Sequence, residues 1–204
     1  MRILPFWQIN YGLRVDITFG STSKPFPMPT DKDFIHSLTQ DFFRTKRVRE
    51  TLALIADCGI SGWEKWLQIE LARHCDSRGD VKTWDREVRY GLDRRSAARG
   101  ATAIDFLIHQ KHKHSPLGIE LKQVKSPRAC IKAMLRDKKK VWNIKWSQDN
   151  LREVWCIGVH NAEDLGRVTA LAEFEAKVLA YAFDASSLLT ERIGRTDFSF
   201  TVFR

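Results

Sequence analysis

Two alternating runs constrain this chain more than any other feature. Ala103-Ile104-Asp105-Phe106-Leu107-Ile108 and Leu117-Gly118-Ile119-Glu120-Leu121-Lys122-Gln123-Val124 place apolar residues at nearly every second position, the period of a strand whose side chains point alternately to opposite faces. In the first run Ile104, Phe106 and Ile108 are expected to share one face, with Asp105 on the other. In the second, Ile119 and Leu121 share a face that Glu120 and Lys122 avoid. Residues 109–116 between them are polar and long enough for a loose hairpin. If the strands pair, Asp105, Glu120 and Lys122 meet on one face.

The flanking sequence supplies helices. Residues 3–9 and 13–19 surround Asn10-Tyr11-Gly12 and read as an N-terminal hairpin, followed by a proline-rich loop to Pro29. Thr30 with Asp33 resembles a capping box, opening one or two basic helices with Phe34, Leu38, Phe42, Val48, Leu52 and Ile55 inward, ending before Gly59. A further helix is expected from Ser61, its cap, to about His74. On it Trp63, Trp66, Leu67, Leu71 and His74 face inward, and Glu70 lies among them. A carboxylate on an apolar stripe is costly unless paired or bound to metal, whereas Glu64 starts the helix and suits its positive dipole end. The alternative for Glu70 is a place at the edge of the stripe.

Trp84 to Tyr90 reads as a strand, residues 91–100 as a basic loop, and Pro127 as the first turn of a helix through Lys140. That helix carries Ile131, Met134, Leu135, Lys138 (by its stem) and Val141 inward. Val154 to Val159 has the continuous apolar character of a buried central strand. A long helix from about Ala162 to Phe183 should bury Leu171, Phe174, Val178 and Leu179, and Asp197 to Phe203 reads as a final strand. The expected division is an extension, residues 1–60, packed on a core of residues 61–204, with the boundary near Gly59–Gly62.

Length and composition exclude some classes. A chain of 204 residues with 43% hydrophobic content can bury a real core. No run approaches the roughly 20 apolar residues of a membrane span, and the N-terminus lacks a signal-peptide pattern, so a cytoplasmic protein with no membrane partner is expected. Cys58, Cys75, Cys130 and Cys156 form no paired motif and read as reduced thiols. The net charge of +9 favours a polyanionic partner, nucleic acid above all. Arg94, Arg95 and Arg99 in the basic loop, and Lys132, Arg136 and Lys139 on the following helix, are candidate phosphate contacts; the plain alternative for each is a solvated surface. His109, His112 and His114 sit among lysines in a turn, His74 and His160 read as structural, and no nucleophile-elbow or phosphate-loop motif occurs.

The chemistry follows from charge. Carboxylates about 4 Å apart repel by roughly 4 kcal/mol at an effective dielectric of 20. If Asp105, Glu120 and Glu70 converge, Lys122 offsets one of three negative charges and leaves two for a divalent cation, Mg²⁺ or Mn²⁺ rather than zinc. Asp105 followed by Glu120-Leu121-Lys122 on adjacent strands, after a Glu-bearing helix, resembles the PD-(D/E)xK nuclease superfamily. The resemblance covers about residues 61–160. It implies an α/β (mixed α+β) fold with a restriction-endonuclease-like αβββαβ core, a central mixed sheet flanked by helices, and hydrolysis of phosphodiester bonds, DNA ahead of RNA, by metal-activated water. By motif position Asp105 is the metal-binding aspartate, Glu120 the second acidic ligand, Lys122 the lysine, Glu70 the helix acid that many members add, and Gln123 an accessory polar residue. Ile104 stands where the family often has proline. The competing readings are a non-catalytic nucleic-acid-binding or protein-interaction domain with an ordinary ion pair on a surface hairpin. A homodimer remains open.

Overall fold

The computed structural model describes residues 29–91, 101–141 and 151–204; the expected N-terminal hairpin and the Arg94, Arg95 and Arg99 loop lie outside them. Helix α1 (Asp31–Arg44) opens with the expected capping box: Thr30 and Asp33 each accept the other's backbone N–H. Helix α2 (Lys46–Asp57) ends where Gly59 adopts a positive φ of 63°, and the amides of Gly59 and Ile60 bond back to Ala56 and Ile55. That is a Schellman turn, whose left-handed residue favours glycine. Helix α3 (Glu64–Ser77) begins at Glu64 and not at Ser61; the residue before it, Trp63, makes no side-chain cap. Its indole is instead buried, edge-on to Trp66 and Phe198. Burial of an aromatic ring thus sets the start of this helix.

Strands β1 (Val81–Gly91), β2 (Ala101–Gln110) and β3 (Leu117–Gln123) follow, then α4 (Pro127–Val141), β4 (Glu153–Asn161) and α5 (Leu165–Val178). A short 3₁₀ turn at Ala185–Ser187 leads to β5 (Leu189–Arg192) and β6 (Phe198–Phe203). The sheet order is β1-β2-β3-β4-β6-β5, antiparallel throughout except for the β3–β4 pair. A parallel pair needs a crossover, which α4 supplies. The result, among the described residues, is a mixed six-stranded sheet flanked by five α-helices. Among the described residues no helix is long and apolar enough to cross a membrane.

Alternation on the strands divides the core. Phe106, Ile108, Ile119, Leu121, Trp155, Ile157 and Phe200 pack in one cluster with α1, α2 and α3, including Ile35, Leu38, Leu52 and Leu67. Cys156 and Phe203 face the other way, against Met134 and Leu135 of α4 and Val168 and Ala172 of α5. Ile104 departs from its expected face: it packs with Leu107, Val154 and Val141. The alternation breaks at neighbouring points of both strands. Arg86 pairs with Phe106 and Val88 with Ile104, and between Arg86 and Val88, Glu87 takes a positive φ of 52°, a sparsely populated conformation for a non-glycine residue.

Helix α5 is shorter than its apolar pattern implies and turned on its axis. It buries Val168, Ala172, Glu175 and Ala176, while Phe174 and Val178 are exposed and Leu171 and Leu179 only partly covered. Glu175 is drawn inward by Arg128 (Nε to Oε1, 2.6 Å), with Lys132 3.8 Å from its other oxygen.

Close packing of α4 on the sheet depends on Gly158. A Cβ there would collide with Met134 and come within 2.8 Å of Cys130 Sγ. Gly158→Val is expected to destabilise the fold by about 1–3 kcal/mol through overpacking, measured by urea unfolding; unchanged stability would contradict this contact.

Candidate active site

The β2–β3 ladder runs from Phe106↔Ile119 to Ile108↔Leu117. One step further the same register would place Asp105 opposite Glu120, but there the backbone pairing stops. The Leu121 N–H donates instead to Asp105 Oδ2 at 2.9 Å. Residues directly opposed on antiparallel strands project to the same side, and Lys122 lies two residues beyond Glu120. The end of one short ladder therefore gathers the three residues expected from the sequence.

Their environment makes the charges interdependent. Glu120 is 6% exposed, and its Oε1 has no hydrogen-bond partner. Burial, and then the neighbouring charges of Asp105 and Asp137, push its carboxyl up to about 9, against the opposing pull of Lys122. Lys122 Nζ donates to Asp137 Oδ2 at 2.8 Å, and Lys140 Nζ to Asp137 Oδ1 at 2.7 Å. Burial works against the charged form of Lys122, but the Asp137 hydrogen bond and the charges of Asp137, Glu64 and Asp105 reverse the balance, holding it above the ordinary lysine range. Lys122 is an ammonium here. Asp137 behaves in mirror image: burial opposes its ionisation, and hydrogen bonds from Lys122 and Lys140 hold it below its usual value.

The helix acid at this site is Glu64, not Glu70. Glu64 is half-buried, and burial raises its carboxyl; Lys122 and the Gln123 backbone oppose the shift while Asp105 and Asp137 add to it. Glu70 instead makes an ion pair with Arg47 of α2. Six residues of helix separate the two acids by about 9 Å along the axis and about 120° around it, so they cannot serve the same place. The apolar neighbours of Glu70 marked a real burial, relieved by an arginine.

Asp137 is a second residue that the sequence reading missed. It lies between Met134 and Val141, two residues whose side chains α4 buries. The signal that drew attention to Glu70, an acid on an apolar stripe, was present here too. Of the candidate phosphate contacts, Arg136 is exposed, whereas Lys132 lies beside Glu175 and Lys139 Nζ donates to the Leu179 carbonyl at 3.0 Å. These two lysines tie α4 to α5. Gln123 brings its backbone to Glu64, and its side chain is half-buried. His109 is 3.2 Å from Asp85, and His160 is buried against Thr201.

Among the described residues no three His, Cys, Asp or Glu side chains are disposed to close around a metal ion. The donor set fits a different kind of site. Mg²⁺ is usually held by one or two carboxylates, with waters and substrate phosphates completing the shell. Asp105 and Glu120 supply such a pair, and the buried Glu120 Oε1 has no hydrogen-bond partner within the protein. With every group ionised, Asp105, Glu120, Asp137 and Glu64 face Lys122 and Lys140, leaving two negative charges uncompensated. Compared with known proteins, the chain matches no family model, no curated protein and no solved structure.

The raised Glu120 carboxyl has a pH signature. Its folded-state value, about 9, lies above its ordinary 4.5, so its contribution to stability is full below pH 4.5 and is lost as pH rises toward 9. Without metal, the native chain should lose stability relative to Glu120→Gln across that window, by up to about 1.4 kcal/mol per pH unit. Urea unfolding of both proteins from pH 5 to 9 measures this; parallel profiles would contradict a buried, protonated acid.

Proposed function

We propose that this chain is a divalent-metal-dependent nuclease of the PD-(D/E)xK type, hydrolysing phosphodiester bonds with DNA as the favoured substrate. The observation that carries the reading is the meeting of Asp105 and Glu120 beside the Lys122 ammonium at the open end of the β2–β3 ladder. The succession α3, β1, β2, β3, α4, β4 supports it, being the order that the motif's resemblance implies. The net charge of +9 agrees with a polyanionic substrate. The acid on α3 departs from the expected position, with Glu64 taking the part first assigned to Glu70.

In this reading Asp105 and Glu120 hold Mg²⁺ or Mn²⁺, and Glu64 assists from the start of α3. A bound ion supplies charge stabilisation to a phosphoryl oxygen and lowers the pKa of a coordinated water. The protein's own residues do the rest. Lys122, fixed as an ammonium, donates hydrogen bonds to the attacking water or to a phosphate oxygen and meets the negative charge that develops there. It does not act as the base, because its proton is held too firmly by Asp137 and the surrounding acids. The Leu121 amide fixes Asp105 Oδ2, and the Glu120 carboxyl lies within hydrogen-bonding reach of the Asp105 side chain.

Cleavage of plasmid, linear duplex, single-stranded DNA and RNA, with and without Mg²⁺ or Mn²⁺, tests this directly. Asp105→Ala and Lys122→Ala should each lower metal-dependent cleavage by roughly a hundred-fold or more while the fold and nucleic-acid affinity persist. Glu70→Ala should leave the rate within a few-fold of the native chain. Salt-sensitive binding with no cleavage of any substrate would overturn the enzyme reading in favour of a binding domain.

A further inference from the structure

The buried acid on α4 enters the scheme above only as the group that keeps Lys122 protonated. We propose that Asp137 is the positioning residue of this site, holding the Lys122 amine against the Asp105–Glu120 pair and setting the rate of hydrolysis through it. The proposal rests on the nuclease reading and adds to it a residue outside the Asp and Glu-x-Lys motif.

The geometry is specific. A lysine amine at the end of a flexible four-carbon stem loses substantial rotamer entropy when ordered, so a placed ammonium needs an anchor. Asp137 Oδ2 supplies one at 2.8 Å. The anchor is itself fixed. Asp137 is 8% exposed, sits between the buried Met134 and Val141, and engages Lys140 with its second oxygen at 2.7 Å. Gly158 pairs with Lys122 across the β3–β4 ladder, and its missing side chain admits Cys130 and Met134 of α4. The strand, the glycine beside it and the helix above it thus act together to bring Asp137 within reach of Lys122.

A purely structural role fits this arrangement less well. Buried ion pairs contribute little net stability, because desolvation of both charges offsets their attraction; apolar residues of similar volume often serve as well or better. The link between α4 and the sheet is already secured by Cys130, Ile131, Met134 and Leu135, all fully buried. What the ion pair adds is a fixed direction for one amine. Lys140, with a mostly exposed side chain, balances the remaining Asp137 oxygen without occupying the site.

The test uses the full chain and plasmid DNA with Mg²⁺. Asp137→Asn is expected to lower kcat by about ten- to a hundred-fold, with KM for DNA unchanged within about two-fold, and Asp137→Glu to recover part of that loss. In a Lys122→Gln background, adding Asp137→Asn should change kcat no further, since residues acting as one unit are non-additive. In the metal-free native chain, the Lys122 ammonium should also give a resolved, slowly exchanging ¹⁵N NMR signal that Asp137→Glu broadens. A folded Asp137→Asn protein with native kcat overturns the proposal, as does a loss that persists undiminished in the Lys122→Gln background. If Asp137→Asn alone does not fold, the double variant leaves no unpaired buried charge and still decides between these outcomes. A native chain that cleaves none of the four substrates removes the nuclease reading and this role with it. Native cleavage alongside equally fast cleavage by Asp137→Asn removes this role alone.

Discussion

A buried glutamate pressed against an aspartate is the interaction on which the rest of this structure turns. Glu120 lies on a strand covered on both faces, with one oxygen lacking any partner and its carboxyl pushed up to about 9. Folding alone would not favour such a group, because a carboxylate in low dielectric is expensive unless something compensates it. Lys122 compensates in part, but Asp137 already claims its ammonium. What remains is a site where Asp105 and a carboxyl that keeps its proton lie beside an amine that keeps its own.

The fold creates that site by ending a ladder early. β2 and β3 stay together only as far as Phe106 and Ile119; beyond them Asp105 uses its side chain to bond the Leu121 amide. The positive φ at Glu87 and the switch of Ile104 to a different apolar cluster belong to the same disturbance. Backbone strain is tolerated where surrounding packing overrides it, and here Trp84 stacked on Phe106 anchors the regular part of the hairpin. The parallel β3–β4 pair then carries Glu120 and Lys122 into the middle of the sheet. α4 crosses above it closely enough for Asp137 to enter, and α3 contributes Glu64 from its first turn.

Much of this was legible in the sequence, because alternation and apolar stripes are direct records of burial. The three motif residues, the order of helices and strands from residue 64 to residue 161, and the Thr30 capping box could all be read from spacing. Three features could not. A strand of four residues, Leu189–Arg192, is too short for a periodic signal. Helix α5 shows two competing stripes, and the inward one is selected by the tertiary ion pairs of Glu175 with Arg128 and Lys132, which no local pattern records. The helix acid was misplaced because burial was read as function. Glu70 is buried but answered by Arg47, whereas Glu64, at the helix start, had a sufficient local explanation in the helix dipole. Asp137 carried the telling signature, an acid on a buried stripe, without a motif to draw the eye to it.

The raised Glu120 carboxyl and the proposed metal site together predict that Glu120 stays protonated near neutral pH until a divalent cation takes the place of its proton. Calorimetric titration of the metal-free chain with Mn²⁺ at pH 7, in buffers of differing ionisation enthalpy, measures this without reference to any substrate. The expected result is one ion bound per chain with release of about one proton, both lost in Glu120→Gln. Binding with no proton released, or no binding at all, would contradict the claim.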